Sequence, residues 1–166
     1  MDDITFAKAF ANELDLESAA TRKCLERIPF EKFDWKPHEK SMNLGYLWLL
    51  VAEIPLWIKH MIEVSEIDFV TFPHLRPSST ADVVKHFDEN IAGAKKALLN
   101  VKEGDLSETF YLKANGQTVY SAPKRVNIES TINHMVHHRG QLTVYMRLND
   151  IPVPSIYGPS ADDKNF

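Results

Sequence analysis

Apolar residues recur along this chain at steps of three and four in four long stretches, and the period stops between them. From about Asp3 to Ile28 the series Ala7, Phe10, Leu14, Thr21, Cys24, Leu25 and Ile28 marks one face of an amphipathic helix, which Pro29 ends. Phe30, Phe33 and Trp35 follow in a connection without a period and are expected to cover one end of the core. A second helix is capped by Ser41 or Asn43 and runs to about Glu63. A third starts at Ser79 or Thr80, with Asp82 in its first turn and Val84, Phe87, Ile91, Ala94, Leu98 and Val101 along its stripe. A fourth begins near Pro123, a first-turn proline, and continues to about Leu148.

The connections carry their own signals. Residues 64–79 read as a loop containing Pro73 and Pro77, with His74 in solvent. Phe110-Tyr111-Leu112 and Thr118-Val119-Tyr120 flank Asn115-Gly116, which predicts a short β-hairpin. A lone two-stranded ribbon is marginal, so it must pack on a helix or a partner. The tail from Ile151 to Pro159 is too rich in proline to be helical and is expected to lie on the helices. Together these elements predict an all-α four-helix bundle in one domain spanning residues 1–166.

The second helix carries the sharpest anomaly. Between Leu44 and Ile58 the only ionisable side chain apart from Tyr46 is Glu53. A membrane span needs about 18 or more apolar residues. This run is shorter and holds Glu53 and Pro55 at its centre, so it predicts a core helix instead. A buried carboxylate is costly unless paired. Glu53 therefore either sits on a solvated face or pairs with Arg139, or it points into a pocket with His134 and His138. Pro55 is expected to loosen the helix and free a carbonyl near Val51.

Composition narrows the function classes. The net charge of −4 is mixed along the chain with no basic stripe, which excludes a nucleic-acid footprint. The single cysteine, Cys24, excludes an internal disulfide and falls on a buried stripe. The acidic start lacks a secretory n-region, so a cytoplasmic location is the expectation.

Three of the seven histidines fall between Asn133 and Leu142. His134 and His138 are four residues apart, which stacks them on one helix face with about 6 Å of rise between them. That spacing offers two imidazoles to one metal ion. Ile132, Met135, Arg139, Leu142 and Met146 form one stripe, His134, His138, Gln141 and Tyr145 the next, and His137 is expected outside. An Asp82–His86 pair is a weaker candidate, with a solvated flank the simpler reading.

The string from Asn133 to Leu142, with Tyr145-Met146-Arg147-Leu148 and the tail from Ile151 to Asp162, resembles the C-terminal signature of the DinB/YfiT-like superfamily. Asp34-Trp35-Lys36-Pro37-His38, Ser41-Met42, Leu44-Gly45 and Ala52-Glu53-Ile54-Pro55 are similar to that family's entry to its second helix. The resemblance implies an up-down-down-up bundle, usually a homodimer. It also implies a divalent metal, zinc or nickel, held by three histidines for thiol-dependent transferase or hydrolase chemistry on a small molecule. His134 and His138 match two of those ligands, and the third falls at Leu50, which cannot coordinate. His60 is about 15 Å further along the helix, whereas Glu53 is one turn, about 4.5 Å, from Leu50. Two functions follow. One is a metal-dependent enzyme whose altered site is His134, His138 and Glu53, with Glu53 as ligand or base. The other is a degenerate, non-catalytic dimer that binds a small ligand or a partner.

Overall fold

A computed structural model describes residues 2–165. Three of its four helices begin where a polar side chain satisfies a free N–H of the first turn. Helix α1 (Asp3–Glu26) is capped by Asp2, which accepts from Thr5 N–H at 2.7 Å. Asn43 accepts from Tyr46 N–H at 2.8 Å and opens α2 (Leu44–Glu63). Ser79 does the same for α3 (Thr80–Leu99) through Asp82 N–H. Helix α4 (Lys124–Leu148) instead leaves a strand directly, and Lys124 N–H donates to Glu108 O at 2.8 Å.

Helix α2 packs between α3 and α4, and α1 lies mainly on α3. The predicted stripes are the buried ones: Ala7, Leu14, Cys24 and Leu25 on α1, Phe87, Ile91 and Leu98 on α3, and Met135, Leu142 and Met146 on α4. The aromatic connection covers one end as expected, with Phe30, Phe33 and Trp35 packed on the core. Pro55 lies within α2, and the buried Asn90 of α3 donates to the Ala52 carbonyl at 2.9 Å. Near a proline the helix cannot satisfy all of its own carbonyls. The carbonyl that Pro55 leaves without a helical donor is that of Val51, so Asn90 bonds the helix one residue beyond the break.

The all-α expectation is incomplete. Residues 64–79, read as a loop, contain strand β1 (Glu66–Asp68). It runs parallel to β2 (Thr109–Ala114), which pairs antiparallel with β3 (Gln117–Pro123), making a mixed sheet in the order β1-β2-β3. The hairpin turn is where Asn115-Gly116 predicts it, both residues having positive φ. The Asp68 carboxylate accepts from Gly116 N–H at 2.6 Å and from Asn115 N–H at 3.2 Å, so β1 clamps the turn between β2 and β3. A three-residue strand shows no alternation to read. Its pairing is settled by contacts across more than forty residues, such as Ile67 with Leu112.

A second correction concerns Arg139. Its guanidinium is buried against Glu17 of α1, with Nη1 2.5 Å from the carboxylate and 3.0 Å from Thr21 Oγ1. Nη2 donates to Tyr157 Oη at 2.8 Å, which fastens the tail to the helices. Arg139 is thus not the partner of Glu53. Among the described residues, no helix is long and apolar enough to cross a membrane.

Candidate functional site

Helical spacing brings His134 and His138 together as expected. Their Nε2 atoms are 2.7 Å apart and the ring centroids 4.5 Å apart. His138 Nδ1 lies 2.7 Å from Gln141 Oε1, so Nδ1 donates to the amide and the lone pair stays on Nε2. Burial first, then the neighbouring His138 and His137, hold the His134 imidazole below its ordinary pKa. The His134 imidazole is therefore held toward its neutral form, and the Nε2 lone pair of His138 is turned toward it. His137 is exposed, on the outer side.

Glu53 is buried, only 3% exposed, but it faces other histidines. Oε2 accepts from His74 Nδ1 at 2.7 Å, and Oε1 accepts from Leu75 N–H at 2.9 Å. His86 Nε2 is 3.7 Å from Oε1, beyond hydrogen-bond range, and has no hydrogen-bond partner among the described residues. Burial pushes the Glu53 carboxyl up, but His86, His74 and Leu75 N–H outweigh it and leave the group below its ordinary value. His74 is therefore bonded on its inner edge rather than simply solvated. The Asp82–His86 pairing does not form, because Asp82 accepts from Ser78 while His86 turns to Glu53.

A cavity of about 230 Å³ lies between α2, α4 and the sheet, walled by Trp57, Met61, Phe72, Phe110, His74 and His134. A second hollow of about 200 Å³ is lined by Tyr46, Leu50 and Glu53. Trp57, Phe69 and His74 belong to the walls of both. The Trp57 ring lies 5.6 Å from that of His134. The space is thus mainly apolar, with imidazoles at separate points of its wall, which suits a small organic molecule with one reactive group.

Two imidazole nitrogens on one tetrahedral zinc, each bonded at about 2.0–2.1 Å, stand about 3.3 Å apart. A small opening of the His134–His138 contact reaches that separation. The Gln141 contact on His138 is the kind of outer hydrogen bond that orients a ligating imidazole. The pair fits two positions of a divalent ion. Leu50 offers no donor, Glu53 has both oxygens engaged elsewhere, and among the described residues no group of three or more His, Cys, Asp or Glu side chains is placed to hold a metal.

The sequence profile of the DinB family matches residues 1–165. The chain belongs to the DinB family. The uncharacterized protein YrdA of Bacillus subtilis strain 168 is 53% identical over 157 residues, covering 93% of this chain and 89% of YrdA. A DinB-like protein from Bacillus cereus superposes with a TM-score of 0.69 at 23% identity, over 90% of this chain and 97% of that one. YjoA, a DinB-like protein of Bacillus subtilis, gives 0.66 at 18% identity, over 87% and 95%. These two likenesses are likenesses of fold.

Within the DinB frame, His74 and His86, expected in solvent and on a solvated flank, both turn to Glu53. The one signal pointing to them is Glu53 itself, a carboxylate in an apolar run that needs partners. Nothing in the sequence names those partners, because they stand 21 and 33 positions away on the 64–79 segment and on α3.

Proposed function

We propose that this DinB-family chain is an enzyme acting on a small, largely apolar molecule, with a divalent cation held by His134 and His138 at the cavity wall. The observation that carries this reading is the convergence of the two Nε2 atoms at 2.7 Å, with His138 oriented by Gln141. Such a cation supplies Lewis acidity toward a thiol, a water or a carbonyl. The protein's own part is to present two imidazoles one helical turn apart, to exclude bulk water with Trp57, Phe72 and Phe110, and to orient the apolar body of the substrate. The reading includes thiol-dependent transferase or hydrolase chemistry, and the homodimer and up-down-down-up helix order that family resemblance implies. Elemental analysis of untagged protein after dialysis against zinc or nickel is expected to find close to one ion per chain, lost in His134→Ala and His138→Ala. No bound metal in the parent protein overturns the reading.

Leu50 favours a second reading, in which the pocket binds a small ligand and tight metal binding has been lost. A cation held by two imidazoles is weaker than one held by three. If the missing donor is what limits affinity, Leu50→His raises metal affinity by about tenfold or more. Equal affinity in parent and variant counts against a lost ligand at position 50.

A further inference from the structure

We infer that His74 and Glu53 form a general base on the cavity wall, with His74 the catalytic residue and Glu53 its positioning residue. Its substrate is a small molecule with an apolar body and one weakly acidic O–H or S–H. The inference shares the cavity with the proposed function but does not rest on the cation.

Glu53 accepts from Leu75 N–H and sits beside the otherwise unbonded His86, so it remains an ionised acceptor. The hydrogen bond at 2.7 Å therefore has the proton on His74 Nδ1, which fixes the tautomer and leaves the lone pair on Nε2. The carboxylate is inside and the imidazole is at the rim: the Glu53 side chain is 4% exposed and that of His74 58%. His74 forms part of the wall of both hollows, beside Phe69 and Trp57. A base oriented by a buried carboxylate and facing an apolar space is the arrangement that proton abstraction needs.

In the step, the substrate O–H or S–H bond breaks and its electron pair stays on oxygen or sulfur. The proton bonds to His74 Nε2. The imidazolium formed is compensated by Glu53 through Nδ1–H, so the dyad goes from one negative charge to none while the substrate gains that charge. The titratable groups facing the dyad are His86 of α3 and, across the cavity, His134 of α4.

The test is to titrate para-nitrophenol with the full-length protein, with and without EDTA, at a pH below the free phenol's own pKa. The bound chromophore is expected to absorb as phenolate in both conditions. In Glu53→Gln, and separately in His74→Gln, the ratio of bound phenolate to phenol is expected to fall about tenfold or more while the phenol still binds. His74→Gln alters an exposed loop residue and keeps the test open should Glu53→Gln fail to fold. The inference is overturned if the phenol does not bind, if it binds only as the neutral phenol, or if His74→Gln leaves the phenolate fraction unchanged. A phenolate signal that EDTA abolishes also overturns it, and supports the cation at His134 and His138 instead.

Discussion

Glu53 shows how one side chain couples stability to the candidate chemistry. Burial alone would raise its pKa, yet His86, His74 and Leu75 N–H leave the folded value depressed. A depressed carboxylate contributes stability above its unfolded pKa and loses it as pH falls through the folded value. The thermal midpoint of the parent protein is therefore expected to drop on acidification below the ordinary glutamate value of about 4.3, and to drop less steeply in Glu53→Gln. An equally steep fall in both proteins contradicts the assignment. That Glu53 is an anomaly was legible in the apolar run around it. Which imidazoles answer it was not, because His74 and His86 reach it only after α3 and the 64–79 segment have packed on α2.

At the scale of an element, the start of α2 depends on a close approach. A Cβ on Gly45 would stand 2.4 Å from Phe33 Cγ, at the base of a ring packed on the core. Alanine is the better helix former by about 1 kcal/mol. Overpacking costs about 1–3 kcal/mol, and the ring cannot swing aside without opening the core. Gly45→Ala is thus expected to destabilise the protein, read as a lower urea midpoint, and to cost less in a Phe33→Ala background because the two positions share one contact. A higher midpoint in Gly45→Ala would falsify this. The helices, the Asn115-Gly116 turn and a choice of two caps each for α2 and α3, Ser41 or Asn43 and Ser79 or Thr80, were readable because each depends on residues within one turn of chain; the fold selects Asn43 and Ser79. Strand β1 was not, since its pairing with β2 exists only through the fold.

At the scale of the whole molecule, Arg139 joins three distant parts: α4, Glu17 of α1 and Tyr157 of the tail. Removing one partner of a buried ion pair costs about 3–5 kcal/mol, because the other charge is left without compensation. Arg139→Met is expected to lower stability by that order in urea unfolding, and Glu17→Gln in the same background to recover part of it. The sheet has a comparable role, since Phe110, Leu112 and Ile67 close one side of the cavity that α2 and α4 open.

The four helices, the hairpin turn and the meeting of His134 with His138 follow from the order of residues along the chain. All of these are local, governed by caps, by helical period and by i,i+4 geometry that covalent structure imposes within a single turn. Tertiary structure alone decided that Arg139 belongs to Glu17, that Glu53 belongs to His74 and His86, and that a third strand walls the cavity. Those partners lie many turns apart along the chain, so the choice among several chemically equivalent ones is made by the packing of whole elements.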